Sequence, residues 1–199
     1  EDNAHGLGVR TPSGTLGTLG TLAIQSFHDT KNVHCGEGGA LLINDESLAE
    51  RAEIIREKGT NRSRFLRGQV DKYTWVDQGS SYLPSEINAA VLDSQLEHFD
   101  DIQDRRFTVW NRYASELAEW AGANDVTLMN PPDGVHAAHV FYLHTPTAAS
   151  QQALLAHMRE NGVIGTFHYV PLHSSPAGKK FGRAAGDLPH TDAFASRLV

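Results

Sequence analysis

The sequence predicts an α/β protein, and three observations carry that expectation. Two short apolar runs, residues 21–27 and 40–43, are bounded by glycines and turn residues, as strands are. Between Leu92 and Trp120, apolar residues recur in three- and four-residue steps or multiples of them, the period of a helix face. After the break at Asn130-Pro131-Pro132-Asp133-Gly134 come an apolar run, a helical pattern and an alternating segment, which together make a small α/β unit.

The elements follow in order. Residues 14–24 repeat Gly-Thr-Leu from Gly14, Gly17 and Gly20; this predicts a glycine-rich loop entering a strand rather than a repeat architecture, which needs longer periods and more copies. Thr21–Phe27 is the strand. Ala40–Ile43 is a second strand, and Asn44-Asp45 starts a helix whose Leu48, Ala52 and Ile55 keep helical spacing up to a cap at Gly59. Residues 60–82 are polar and aromatic without sustained period, so a long functional loop is expected. Pro84 suits a first helical turn. One long helix, or two abutting ones, then runs to about Trp120, and the change of domain is expected inside it: residues 1–100 form a large domain and residues 101–199 a small one. Val140–Leu143 reads as apolar strand, Ser150–Asn161 as a helix capped by Gly162, and Val163, Gly165, Phe167 and Tyr169 as an alternating strand. Trp75, Trp110 and Trp120 are simplest as core residues.

Composition narrows the function. The chain has 199 residues, 40% hydrophobic and 21% charged, as in globular proteins. A net charge of −7 with no basic stripe disfavours nucleic-acid binding. No apolar run is long enough to span a bilayer, and no secretory signal is visible. The single cysteine, Cys35, excludes an internal disulfide and fits a reducing compartment, so a cytoplasmic location is expected. Among the 11 histidines, His136, His139, His144, His168 and His173 invite a metal site, but none pairs with Cys or acidic residues at ligand spacing, and no metal is expected. The chain lacks an initiator Met, opens as if at the end of a buried strand and closes on Phe194–Val199 as if within a helix. Truncation at both ends is the expectation.

Three segments hold the chemistry: Glu1-Asp2-Asn3-Ala4-His5; Ser26-Phe27-His28-Asp29-Thr30-Lys31-Asn32 with Gly36-Glu37-Gly38-Gly39-Ala40; and Gly79-Ser80-Ser81-Tyr82-Leu83-Pro84-Ser85-Glu86. Pyridoxal 5'-phosphate needs a lysine amine for its aldehyde, a carboxylate beside its pyridine nitrogen, and hydroxyl and backbone donors for its phosphate. An Asp after a strand, a Ser and a Lys on a following turn, and glycines that let the backbone approach would meet those needs. Spacing alone is weak evidence, since a lysine in a loop is usually a solvated charge and an Asp after a strand usually a cap.

The wording is more specific. Asp2-x-x-His5, Ser26-Phe-His-x-Thr-Lys31-Asn and Gly-Glu-Gly-Gly-Ala resemble the DegT/DnrJ/EryC1/StrS family of sugar aminotransferases, over nearly the whole chain. Glu50–Ser63, Arg67–Trp75, Gly79–Tyr82 and Phe167-His-Tyr-Val-Pro-Leu-His173 are similar to its branch that makes dTDP-4-amino-4,6-dideoxygalactose. The resemblance implies the PLP-dependent type I aminotransferase fold, with part of a large mixed-sheet domain and a small C-terminal α/β domain. It implies Lys31 as the Schiff-base lysine, Asp2 on the pyridine nitrogen and Ser26 on the phosphate. His5 stands where many members carry a glutamine near the cofactor ring oxygen. Ser81 stands where many carry an asparagine that reaches the phosphate from the neighbouring subunit, so a homodimer with a shared active site is implied. His168, Tyr169 and His173 are expected to line the sugar end of the pocket.

The implied reaction moves an amino group from glutamate to dTDP-4-keto-6-deoxyglucose, which in enteric bacteria serves the enterobacterial common antigen. Freed Lys31 would carry the proton. Two alternatives stand beside it: a dehydratase of the same family, whose members carry His at the lysine position, and an inactive remnant.

Overall fold

The computed structural model describes residues 1–131 and 133–199. Pro132, part of the expected break, lies outside the described residues. The chain divides into two compact units, one of Glu1–Arg106 and Pro132–His139, the other of Phe107–Pro131 and Val140–Val199.

The first unit opens on a short extended stretch. Asp2 bridges Ile24 in parallel, and the Asn3 amide donates to the Ile24 carbonyl at 3.0 Å. A small hairpin follows, β1 (Arg10–Thr11) and β2 (Gly14–Thr15). The glycine-rich stretch is tied down from both ends of the neighbourhood. The Glu1 carboxylate accepts from the amides of Gly17, Leu19 and Gly20, and Asn44 Nδ2 donates to the carbonyls of Gly17 and Gly20. Those amides hold the Glu1 carboxyl below its ordinary pKa, with Gly17 and Gly20 the largest causes.

The centre of this unit is the antiparallel pair β3 (Leu22–Ser26) and β4 (Gly39–Ile43), in register from Leu22 opposite Ile43 to Ser26 opposite Gly39. Residues 27–38 join them and carry Lys31. The loop is closed by its own backbone: Phe27 to Gly38 at 2.8 Å, Cys35 to Phe27 at 2.9 Å and Asp29 to Gly36 at 2.9 Å. Phe27, Val33 and Cys35 turn inward as a core, with Leu7, Leu92, Phe99 and Ile102 packed against them. Gly38 is needed there, because a Cβ would stand 2.5 Å from Cys35 Sγ.

After β4, Asp45 caps a 3-10 turn (Glu46–Leu48) by accepting from the Ser47 amide, and α1 (Ala49–Arg56) follows. Gly59 accepts the left-handed backbone at φ 71°, donating to the Ile54 carbonyl at 2.9 Å. The expected loop contains a helix, α2 (Arg62–Leu66). Ion pairs to the preceding helix region pin it: Arg64 to Glu50, Arg67 to Glu53 through two bonds of 2.8 and 2.7 Å, and Arg62 to Glu57. Trp75 is not core; it is 74% exposed, and its backbone bridges Thr60.

The long helical region is three helices rather than one or two: α3 (Glu86–Glu97), α4 (Phe99–Glu116) and α5 (Ala118–Ala123). Pro84 lies outside α3, whose cap is Ser85 accepting from the Asn88 amide at 3.2 Å. Within α4 the division of the chain falls after Arg106.

In the second unit, Trp110 is buried, donates to the Val140 carbonyl at 3.1 Å and packs edge-on against Phe141, whereas Trp120 is 38% exposed. β5 (Thr127–Leu128) pairs antiparallel with β6 (Leu143–His144), a shorter strand than the apolar run suggests. α6 (Ala148–Glu160) has a capping box between Thr147 and Ser150 and is followed by Gly162 at φ 74°. Residues 163–170 form no strand. They alternate in sequence, but no partner strand pairs with them, and Ile164, Phe167 and Tyr169 are exposed. α7 (Pro176–Phe181) and α8 (Pro189–Ala195) complete the unit. The helix expected to run on through Val199 stops at Ala195. The residues after it turn to β6, with Leu143 and Val199 exchanging bonds of 2.8 and 2.9 Å.

Candidate active site

Lys31 sits on the first turn of the β3–β4 connection, its amide donating to the His28 carbonyl at 2.9 Å. Its side chain is half-buried, and among the described residues no carboxylate lies at ion-pair distance from it. It borders an open cleft of about 500 Å³, lined among others by Asp29, Asn32, His34, Gln95 and Arg106. Lys31 also lines a small pocket of about 10 Å³ with His5, Gln25, Asn32 and His139, room for about one water.

Asp2 is exposed at the end of the stretch beside β3, and its Oδ1 accepts from the Ala4 amide at 3.1 Å. Ser26 ends β3 two residues beyond the position Asp2 pairs with; its Oγ accepts from the His28 amide at 3.3 Å. Beneath them Asn3 Nδ2 donates to Gln25 Oε1 at 2.9 Å, while the buried Asn3 Oδ1 has no partner. His5 stacks on His139, ring centroids 4.1 Å apart and 36° inclined.

Ser81 stands apart from this group: it pairs with Glu57 across an isolated bridge and is exposed. His168, Tyr169 and His173 belong to the second unit. The rings of His168 and Tyr169 lie 5.1 Å apart and both residues are exposed; His173 Nε2 lies 3.1 Å from Asp192 Oδ1.

The sequence raised His139 only as a metal candidate and gave Asn32, Gln103 and Arg106 no role of their own. Asn32 is a junction. Its Nδ2 donates to Gln103 Oε1 at 2.8 Å and to the Ala137 carbonyl at 2.6 Å, and its Oδ1 meets His139 Nδ1 at 2.7 Å. Gln103 Nε2 adds a bond to the same Ala137 carbonyl at 3.0 Å. Arg106 reaches the carbonyls of Ala138 and His139 at 3.4 Å. Burial lowers the Arg106 pKa, and burial pushes His139 down to about 4, helped by the positive charges of His5, Arg106 and Lys31. One signal was available in the sequence: Gln103 is a polar residue one helical turn from the apolar Phe99.

An amine without a carboxylate partner, a carboxylate and a hydroxyl at the ends of neighbouring extended segments, and an imidazole beside the amine form the donor set that a phosphorylated pyridine aldehyde requires. The residues fit that group. The mixed α/β architecture agrees with the type I aminotransferase fold.

The DegT/DnrJ/EryC1/StrS aminotransferase family signature matches residues 1–199, and the chain belongs to that family. It is 31% identical over 201 residues to dTDP-3-amino-3,4,6-trideoxy-alpha-D-glucose transaminase of Streptomyces venezuelae, covering 100% of this chain and 49% of that protein. It is 31% identical over 202 residues to the erythromycin biosynthesis sensory transduction protein EryC1 of Saccharopolyspora erythraea, covering 100% and 51%. Among solved structures, S. venezuelae DesV in complex with ketimine intermediate superposes with a TM-score of 0.82 at 31% identity, over 98% of this chain and 50% of that one. The aminotransferase TlmJ of Streptoalloteichus hindustanus gives 0.83 at 25% identity, over 100% and 50%. The chain thus spans about half the length of the relatives it matches.

Proposed function

We propose that this protein uses pyridoxal phosphate to transfer an amino group from glutamate to a nucleotide-linked keto-sugar. The sugar we assign is dTDP-4-keto-6-deoxyglucose and the product dTDP-4-amino-4,6-dideoxygalactose. The observation that carries the reading is Lys31, held on a backbone-closed loop next to His5 with no carboxylate partner among the described residues. Lysine at this position also disfavours the dehydratase alternative.

The cofactor would supply an electron sink for the amino transfer. The chain's residues would do the rest. Lys31 Nζ would hold the cofactor covalently and, when free, would move the proton at the reacting carbon. Asp2 would accept the pyridine N–H in a charge-assisted bond. Ser26 Oγ donates to the phosphate, and His5 supports the ring. Ser81 serves the phosphate bound in the neighbouring subunit of a homodimer, and His168, Tyr169 and His173 contact the sugar. A cytoplasmic site of action matches the nucleotide-sugar substrate.

The test adds pyridoxal phosphate to the purified protein, fixes it with borohydride and maps the adduct by peptide mass. The adduct should lie on Lys31 and vanish in Lys31→Ala. Fixation elsewhere sinks the reading. Incubation with glutamate and dTDP-4-keto-6-deoxyglucose should place nitrogen at C4; a sugar aminated at C3, as the name of the S. venezuelae relative describes, would reassign the substrate.

A further inference from the structure

His139 is far from the lysine in sequence and beside it in space. It lies on the segment that rejoins the first unit after the chain has left it, and it meets the site at two points. Its Nδ1 lies 2.7 Å from Asn32 Oδ1, and its ring stacks on His5 at 4.1 Å. The hydrogen-bond pattern assigns the tautomer. Both donors of the Asn32 amide are directed to acceptors, Gln103 Oε1 and the Ala137 carbonyl, so the amide oxygen must face His139 and Nδ1 must carry the proton. The groups that face the ring are His5 from the opening segment, Lys31 from the turn and Arg106 from α4, all cationic or able to become so. His136, on its own segment, accepts from the Ala138 amide at 3.1 Å and shapes the backbone on which His139 stands. A second proton on His139 would therefore meet only positive neighbours.

We propose that His139, as the neutral Nδ1–H tautomer, is a positioning residue for Lys31: through Asn32 it fixes the turn that carries the lysine, and through its ring face it holds His5 against the same pocket. Asn32 follows Lys31 directly, so anchoring its side chain restrains the backbone from which the lysine projects. The Nδ2 bonds of Asn32 run to α4 and to the returning segment, and His139 is the partner of its amide oxygen. This rests on the reading of Lys31 as the cofactor lysine, and the experiment separates the two.

The first readout needs no cofactor. Hydrogen exchange of residues 29–33 is measured in the natural polypeptide and in His139→Ala, His139→Gln and His139→Phe. His139→Ala should raise exchange in this turn by roughly tenfold, the loss expected for one internal hydrogen bond. His139→Gln, which can still donate to Asn32, should restore protection; His139→Phe, which keeps a ring against His5 but has no donor, should not. The second readout is the rate of borohydride-fixed adduct formation on Lys31 against pH. The wild-type profile should break as His139 takes up its second proton, and His139→Gln should remove that break while keeping the rate above it. Asn32→Ala combined with His139→Ala should cost no more than either alone. The proposal is overturned if His139→Phe protects as well as His139→Gln, if the double variant is additive, or if His139→Ala exchanges like wild type. If wild type forms no adduct on Lys31, the functional reading fails while the exchange data still decide the role of His139.

Discussion

Asp2 and His139 place opposite demands on charge in one site. Asp2 is exposed and held by a single internal bond from the Ala4 amide, so it is free to accept another donor. Asp2→Asn should still bind pyridoxal phosphate but lose at least about a hundredfold in turnover, because an amide does not stabilise the protonated pyridine; near-normal turnover, measured by coupled assay beside a cofactor titration, would remove Asp2 from this role. His139 must stay neutral. Its pKa is lowered from 6.5 to about 4, so the folded state takes up its proton later than the unfolded chain does. Its contribution to stability is whole above pH 6.5 and is lost as pH falls towards 4. His136 is lowered by burial in the same direction. Urea midpoints at pH 7 and pH 5 should show a smaller acid loss in His139→Gln than in wild type. At this scale the sequence pointed to Lys31, Asp2, His5 and Ser26 through contiguous local wording, and their roles remain proposals. It raised His139 only as a metal candidate; the pairing with Asn32, 107 positions away, has no local mark.

Elements fixed by their own sequence were legible, and elements fixed by distant partners were not. β3, β4, α1 and α6 carry apolar runs, caps and terminal glycines within a few residues, and they form close to where those cues stand. The helix α2 has none of these; Arg64 within it and Arg67 just after it answer glutamates 14 residues earlier, and only the tertiary arrangement brings them together. Alternation in residues 163–169 misled for the converse reason, since a strand exists only where a second strand accepts its bonds. Gly59 is the most constrained of the local cues. At φ 71° a side chain is already strained, and a Cβ would stand 1.9 Å from the Asp77 carbonyl oxygen. Gly59→Ala should therefore destabilise the protein by about 2 kcal/mol or more, read as a lowered urea midpoint. An unchanged midpoint would mean that the backbone at Asp77 yields easily.

Over the whole molecule, one surface stays unusually apolar. Leu22, Ile24, Leu41, Ile43, Leu48, Ile55, Tyr82 and Leu83 line a groove of about 940 Å³ against β3 and β4, with Ile24 and Leu41 about half exposed. Apolar surface of this kind associates in water. The 199-residue chain should sediment as concentration-dependent oligomers, and Leu41→Lys should shift it towards the monomer without changing its circular dichroism; a monomeric wild type would show that the groove is tolerated in solvent.

The path of the chain between its two units has a consequence for inheritance. The chain leaves the first unit after Arg106, returns to it for Pro132–His139, and leaves again. A single recombination junction placed in α4 between two homologous genes would thus carry more than the second unit: it would also exchange His139 and the carbonyls of Ala137 and Ala138, which engage Asn32, Gln103 and Arg106. A chimaera that swaps only the second unit needs three junctions, or a donor whose 132–139 segment already suits the recipient's lysine loop. Parental pairs differing at that short segment should give inactive single-crossover hybrids, and restoring the recipient's eight residues should rescue them.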